Sequence, residues 1–224
     1  NFKLSAAGEY VALIHPDGVT VESQLTFPAQ LEDVSYGYGF IGSGGSTSTV
    51  TLVAENAPCK ARIPSGSSDS NGWQLQGFDD AEWQSGSTGV GYERVDTGYN
   101  ALVGLDVSDM DGSNATVYIR VPFTHDASPT VDGLLLRMKF DDGFVAYLNG
   151  EQVASFYAPG SLTWNSVATD SHVDALAKQF HDFDISAYAD ELLDGTNVLA
   201  IHGLNRAAAN SDLLMVPELK ADSI

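Results

Sequence analysis

The chain is short of cysteine and of positive charge, and both shortages narrow what it can be. A single Cys59 among 224 residues excludes an intramolecular disulfide and any multi-cysteine zinc site. It lies in the apolar stretch 57–63 and reads most simply as a small buried hydrophobe. A nucleophilic thiol would need a base and an electropositive setting, and its neighbours supply only Lys60 and Arg62. Ten Lys and Arg stand against thirty Asp and Glu, a net charge of −20. Such a surface repels phosphate backbones and anionic headgroups, so neither nucleic acid nor an anionic membrane is expected as a partner. No apolar run approaches the roughly 20 residues of a membrane-spanning helix, so membrane insertion is not expected either.

Catalytic motifs are missing as well. There is no Gly-x-Ser-x-Gly elbow, no His-Glu-x-x-His and no phosphate-binding glycine loop with lysine. The five histidines, His15, His125, His172, His181 and His202, show no His-x-x-x-His spacing. Thirty acids guarantee carboxylate pairs by chance, so a glycosidase-like pair means little without further pattern. The chain is therefore expected not to be an enzyme. It begins at Asn1 with no methionine and no basic-then-apolar leader, and we read it as a processed form or an excised piece of a secreted or cell-surface protein.

What is present is glycine, acid and short alternating runs. Twenty-two glycines against eight prolines suit a loop-rich β protein. The acid excess has two readings: a solvated face that keeps the chain soluble, and a source of the hard oxygen ligands that calcium takes. Residues 9–15 and 19–27 alternate as strands around Pro16-Asp17-Gly18, a turn in which proline presets φ and glycine accepts positive φ. The glycine- and serine-rich segment 36–48 reads as a boundary. Beyond it, strands are expected over 49–55, 58–63, 116–123, 133–140, 144–148, 152–156, 179–183, 197–202 and 213–219. Asn149-Gly150 is the strongest hairpin signal, because it suits both positive-φ positions of a type I′ turn. One helix is expected over 186–193, capped by Asp184 or Ser186 and stopped by Gly195. The stretch 73–92 carries no confident strand. No repeat or heptad is visible, and the strand spacing argues a sandwich.

Two stretches resemble known families. Asn1-Phe-Lys-Leu-Ser-Ala-Ala-Gly-Glu-Tyr-Val-Ala-Leu13, with His15-Pro-Asp-Gly18, Phe27-Pro-Ala-Gln30 and Asp33-Val-Ser-Tyr-Gly37, resembles the C-terminal half of a bacterial lamin-tail domain, a small immunoglobulin-like sandwich. Gly77-Phe-Asp-Asp-Ala-Glu-Trp83, Gly89-Val-Gly-Tyr92, Tyr118-Ile-Arg-Val-Pro-Phe123, Phe140-Asp-Asp-Gly-Phe-Val-Ala-Tyr-Leu-Asn-Gly-Glu-Gln-Val153 and Thr196-Asn-Val-Leu-Ala-Ile-His202 follow one order. That order is similar to the galactose-binding-like domains of bacterial exported proteins and glycoside hydrolases. The resemblance implies an all-β jelly-roll β-sandwich over 46–224, preceded by a short β-hairpin segment over 1–40. For function it is weaker, since such domains bind sugars, bind proteins or brace a neighbour.

The residues offer several candidate sites, each with a plainer reading beside it. Asp142, in Asp141-Asp142-Gly143, suits sugar hydroxyls or calcium, or simply a turn in which Asp bonds its own backbone and Gly takes positive φ. Trp73, Trp83, Tyr92, Tyr157 and Trp164 are candidates for stacking on flat sugar faces. Trp83 and Tyr92 lie in family-like stretches and read as core. Trp164, in the loop 158–171, is the preferred stacking residue, with Tyr157 beside it, and His172 and Asp174 are near enough in sequence to join. Asp106, Asp109 and Asp111 are candidate calcium ligands because their segment faintly resembles an EF-hand start, but the downstream glutamate is missing and an acidic turn is the plainer reading. His202, on a strand, reads as a hydrogen-bonded core residue. Asn114-Ala-Thr116 is a formal glycosylation sequon.

The leading expectation is a non-catalytic carbohydrate-binding module of a larger exported chain. It needs no cofactor, takes calcium in one version, and has a polysaccharide and neighbouring domains as partners. The alternative is a structural subunit that self-assembles into a filament, surface layer or adhesive matrix by strand complementation.

Overall fold

Period-two patterning in the sequence becomes strand register in the folded chain. The computed structural model describes residues 9–14, 19, 21–27, 29, 48–95 and 98–223, and the chain divides into two compact units, Asn1–Gly45 and Ser46–Ile224. In the first unit, β1 (Glu9–Ile14) and β2 (Val21–Phe27) pair antiparallel, Glu9 opposite Phe27. The expected turn at Pro16-Asp17-Gly18 and all but the last residue of the 36–48 boundary lie outside the described residues.

The second unit is an all-β sandwich. One sheet runs β11 (Glu151–Phe156), β10 (Gly143–Leu148), β13 (Gly195–Leu204), β8 (Thr116–His125), β4 (Pro58–Arg62) and β5 (Gln84–Ser87). The other runs β12 (His181–Asp184), β9 (Val131–Asp141), β14 (Asp212–Ser223), β6 (Val90–Glu93) and β7 (Leu105–Asp106), with β3 (Ser48–Val53) also paired to β14. An aromatic cluster joins the two sheets. Phe140 of β9 lies 4.9 Å from Phe144 of β10 and 5.0 Å from Phe156 of β11, and Phe183 of β12 lies 5.2 Å from Phe144. Each such ring adds about 1.5–3 kcal/mol of burial free energy to the core.

Alternation in β9 gives one buried face, Leu134, Leu136, Met138 and Phe140, between half-buried neighbours. In β8 the same alternation gave the wrong expectation for its second face. Tyr118 and Arg120 are buried there, although their pattern assigns them to solvent. The reason is the segment between β4 and β5, which covers that face. Trp73 stacks on Tyr118 at 4.3 Å, and Arg120 donates to the carbonyls of Trp73, Leu75 and Gln76 and pairs with Asp80 at 2.7 Å. The 73–83 stretch is thus a cover tied to β8 by Arg120, with Lys60 of β4 also pairing with Asp80.

The Asn149-Gly150 hairpin forms as its residues demand, with φ +53° and +105°. The expected helix over 186–193 is instead a 3-10 helix, Ser186–Glu191, interrupted at Tyr188 (φ −110°). Its N-cap residue is Ile185, without a side-chain cap, and Asp184 Oδ1, one residue earlier, accepts from the Ser186 N–H and hydroxyl. The α-helix lies elsewhere: α1 (Asp174–Ala177). Strands β5, β6 and β7 were not legible because they are two to four residues long, and β5 and β6 also carry glycine. Gly91 of β6 is required for packing: a Cβ there would come within 2.1 Å of the Leu213 carbonyl oxygen. Among the described residues no helix is long and apolar enough to cross a membrane.

Candidate functional site

Polar residues converge at the end of the sandwich where β9 and β13 finish and β10 and β14 begin. Asp141 closes β9, Asp142 follows it, and both are 2% exposed. Asp142 Oδ1 accepts the His172 backbone N–H at 2.9 Å, and Oδ2 accepts the Arg206 backbone N–H at 2.7 Å and the Asn210 amide at 3.1 Å. Neither sequence reading of this residue anticipated that arrangement. Asp142 bonds no near backbone of its own, and Gly143 does not have a positive φ. Glycine is needed at 143 because a Cβ would sit 2.7 Å from the Phe156 carbonyl oxygen. Asp142 is a clamp that ties the strand end to the 157–173 loop and to the 205–211 turn.

His172 is buried above Phe140, its ring stacked at 4.4 Å and 12°. Its Nδ1 lies 2.7 Å from the Phe140 carbonyl oxygen, which can only accept, so Nδ1 carries the hydrogen and Nε2 is a buried acceptor without a partner. Burial lowers the His172 pKa, against the pull of that carbonyl, so the ring is neutral. His202 is also neutral in the core, its pKa lowered by burial to about 3. Thr116 Oγ1 donates its one hydrogen to the Ser166 carbonyl, so the His202 Nε2–H donates to Thr116 at 3.1 Å.

The 157–173 loop is pinned along its length. Thr169 N–H donates to the Tyr157 carbonyl, Ala168 N–H to the Asn205 carbonyl, and the Asn114 amide to the Trp164 carbonyl. That amide also donates to the Pro64 carbonyl and is buried, so the sequon nitrogen is occupied. On this frame Trp164 and Tyr157 are half-buried. The Trp164 ring stacks on no other ring among the described residues, whereas Tyr157 lies 4.3 Å from Phe156. Trp73, Trp83 and Tyr92 are core residues.

Asp174, exposed at the start of α1, joins a second group. One carboxylate oxygen from each of Asp141, Asp174 and Asp212 lies within 4.8 Å of the others. Ala177 of α1 packs with Tyr99, Leu214 and Val216, which fixes the helix over β14, and Tyr99 donates to Asp141 Oδ2 at 3.0 Å. Burial, then the neighbouring Asp142, push the Asp141 carboxyl up to about 9, and burial raises Asp212 as well. The sequence named Asp174 and the Asp141-Asp142 pair but missed Asp212, Tyr99, Arg206 and Asn210, whose convergence depends on strand pairings far apart in the chain.

Asp106, Asp109 and Asp111 do not come together as a ligand group among the described residues. Asp106 Oδ1 accepts the Ser108 N–H and hydroxyl, Asp109 is exposed, and Asp111 pairs with Arg94 at 2.6 Å. That is the acidic-turn arrangement. Cys59 is buried and its thiol is pushed up to about 12 by burial. At the opposite end of the sandwich, a cleft of about 620 Å³ is lined by Leu52, Thr124, His125, Asp126 and Asp194 among others. It contains none of the residues singled out from the sequence except His125.

No protein-family model matches the chain, and no curated protein does. Solved structures that align with the chain include β-glucuronidase 2 of Bacteroides uniformis covalently bound to cyclophellitol-6-carboxylate aziridine, with 15% identity, TM-score 0.49, and coverage of 79% of this chain and 18% of that one. A β-glucuronidase from an uncultured Clostridium species has 11% identity and TM-score 0.47 over 84% of this chain and 31% of that one. A glycosyl hydrolase family 2 member from Bacteroides cellulosilyticus has 11% identity and TM-score 0.46 over 78% and 20%. The chain spans about a fifth to a third of these proteins.

Proposed function

We propose that the 46–224 unit is a non-catalytic, galactose-binding-like carbohydrate-binding module of a larger exported chain, with its sugar surface on the 157–173 loop. The observation that carries this reading is Trp164, a half-buried indole without a ring partner among the described residues, on a loop whose backbone is fixed at several points. A sugar's C–H face stacks on such a ring, and a pinned loop presents it with little ordering entropy left to lose on binding. Tyr157 adds a second half-buried ring and Asp174 an exposed carboxylate for hydroxyl hydrogen bonds. Asp142 and His172, being buried, act beneath the surface as positioning residues. The test is affinity electrophoresis of the full chain against a panel of neutral and acidic polysaccharides. At least one should retard the parent chain, and Trp164→Ala should remove most of that retardation. Parent and variant migrating alike on every polysaccharide would refute the reading.

A further inference from the structure

We propose that Asp141, Asp174 and Asp212 together bind one calcium ion at the strand-end face of the sandwich. The three carboxylates arrive from separate elements: the end of β9, the start of α1 and the start of β14. Oxygens within 4.8 Å of one another can all reach a single ion, since calcium–oxygen bonds are about 2.3–2.6 Å.

A second observation, independent of the acid count, points to a ligand. Asp141 is 2% exposed and its Oδ1 has no hydrogen-bond donor. The neighbouring carboxylate oxygens are matched, Asp141 Oδ2 by Tyr99 and Asp142 by His172, Arg206 and Asn210, while His172 Nε2 is also unpartnered. Among the described residues no lysine, arginine or histidine pairs with any member of the triad. A buried carboxyl oxygen without a hydrogen-bond donor is costly, and a cation satisfies it as a ligand.

The donor set selects the ion. All three ligands are carboxylate oxygens, with no histidine or cysteine in the group, which suits a hard cation over zinc or copper. Magnesium usually takes one or two carboxylates and holds several waters in a tight octahedron, whereas calcium accepts more protein oxygens in looser geometry. Asp174 is exposed, so the ion enters from solvent and completes its shell with water. Asp106, Asp109 and Asp111 take no part. Asp174 is shared with the proposed sugar surface, but the calcium site needs no sugar to form.

The full chain, stripped with a chelator, is titrated with calcium by isothermal calorimetry and by thermal unfolding. The expected result is one saturable site and a transition temperature that climbs with calcium. Asp174→Asn, at an exposed position that leaves the fold intact, should weaken calcium binding at least tenfold, as should Asp212→Asn. Asp109→Asn should leave it unchanged, and so should Trp164→Ala, which separates this site from the sugar surface. Absence of calcium binding in the parent chain would overturn the proposal. So would an affinity that Asp174→Asn leaves within twofold, or one that Asp109→Asn abolishes.

Discussion

Arg120 sits on the face of β8 that alternation assigns to solvent, yet it is 3% exposed and donates to three backbone carbonyls and one carboxylate. Removing it takes a donor from each of those carbonyls, of which Leu75 keeps the Phe78 N–H, and leaves Asp80 with Lys60 as its one remaining cation. Arg120→Met is expected to cost about 3–5 kcal/mol of stability in urea denaturation. A loss under about 1 kcal/mol would mean that the 64–83 cover is held by its aromatic residues alone. His202 gives a pH dependence of definite sign. Its folded pKa, about 3, is below the unfolded 6.5, so between those values the unfolded chain binds the extra proton. Its contribution is therefore complete above about pH 6.5 and is lost as pH falls toward 3, amounting to about 2 kcal/mol by pH 5. His202→Gln, which keeps a donor for Thr116, should flatten that part of the stability profile; an unchanged slope between pH 7 and 5 would contradict this assignment.

Among the elements, those with strict alternation or a demanding turn were legible. The strands around Asn149-Gly150 and the long strands β8, β9, β13 and β14 follow from period and turn chemistry. Strands β5 and β6 did not, because glycine at 86 and 91 erases the pattern where close backbone approach requires it, and β7 is only two residues long. The 158–171 loop was singled out for its composition, and its attachment was not legible at all. Asp142 makes that attachment through donors 30, 64 and 68 residues away. Asp142→Asn puts an amide NH2 where a carboxylate oxygen now accepts backbone N–H groups. It is expected to cost about 2–4 kcal/mol and to speed hydrogen exchange at Ala168 and Thr169, whose amides anchor the loop. Unchanged protection at those two amides would show that the loop is held independently of Asp142.

For the whole molecule, composition set the broad outline: an acidic chain with one cysteine and no membrane-crossing helix among the described residues. The all-β sandwich was legible from strand count and family-like order. The site was legible in part, because local sequence marks an unusual tryptophan or acidic pair but not the partners that folding brings to it. Trp164 was singled out because it stands in a polar loop with no structural reason for an indole. Asp212 was missed because it reads as the ordinary first residue of a strand.

The three tryptophans make the central claim directly measurable. Trp73 and Trp83 are 1% and 6% exposed, so the fluorescence reachable by a collisional quencher such as acrylamide belongs to Trp164. Quenching is to be measured on the full chain with and without each polysaccharide. The account predicts that a bound polysaccharide shields the accessible fraction, and that Trp164→Ala has almost no accessible fraction to shield. A polysaccharide that binds the chain while leaving Trp164 as quenchable as before would contradict it.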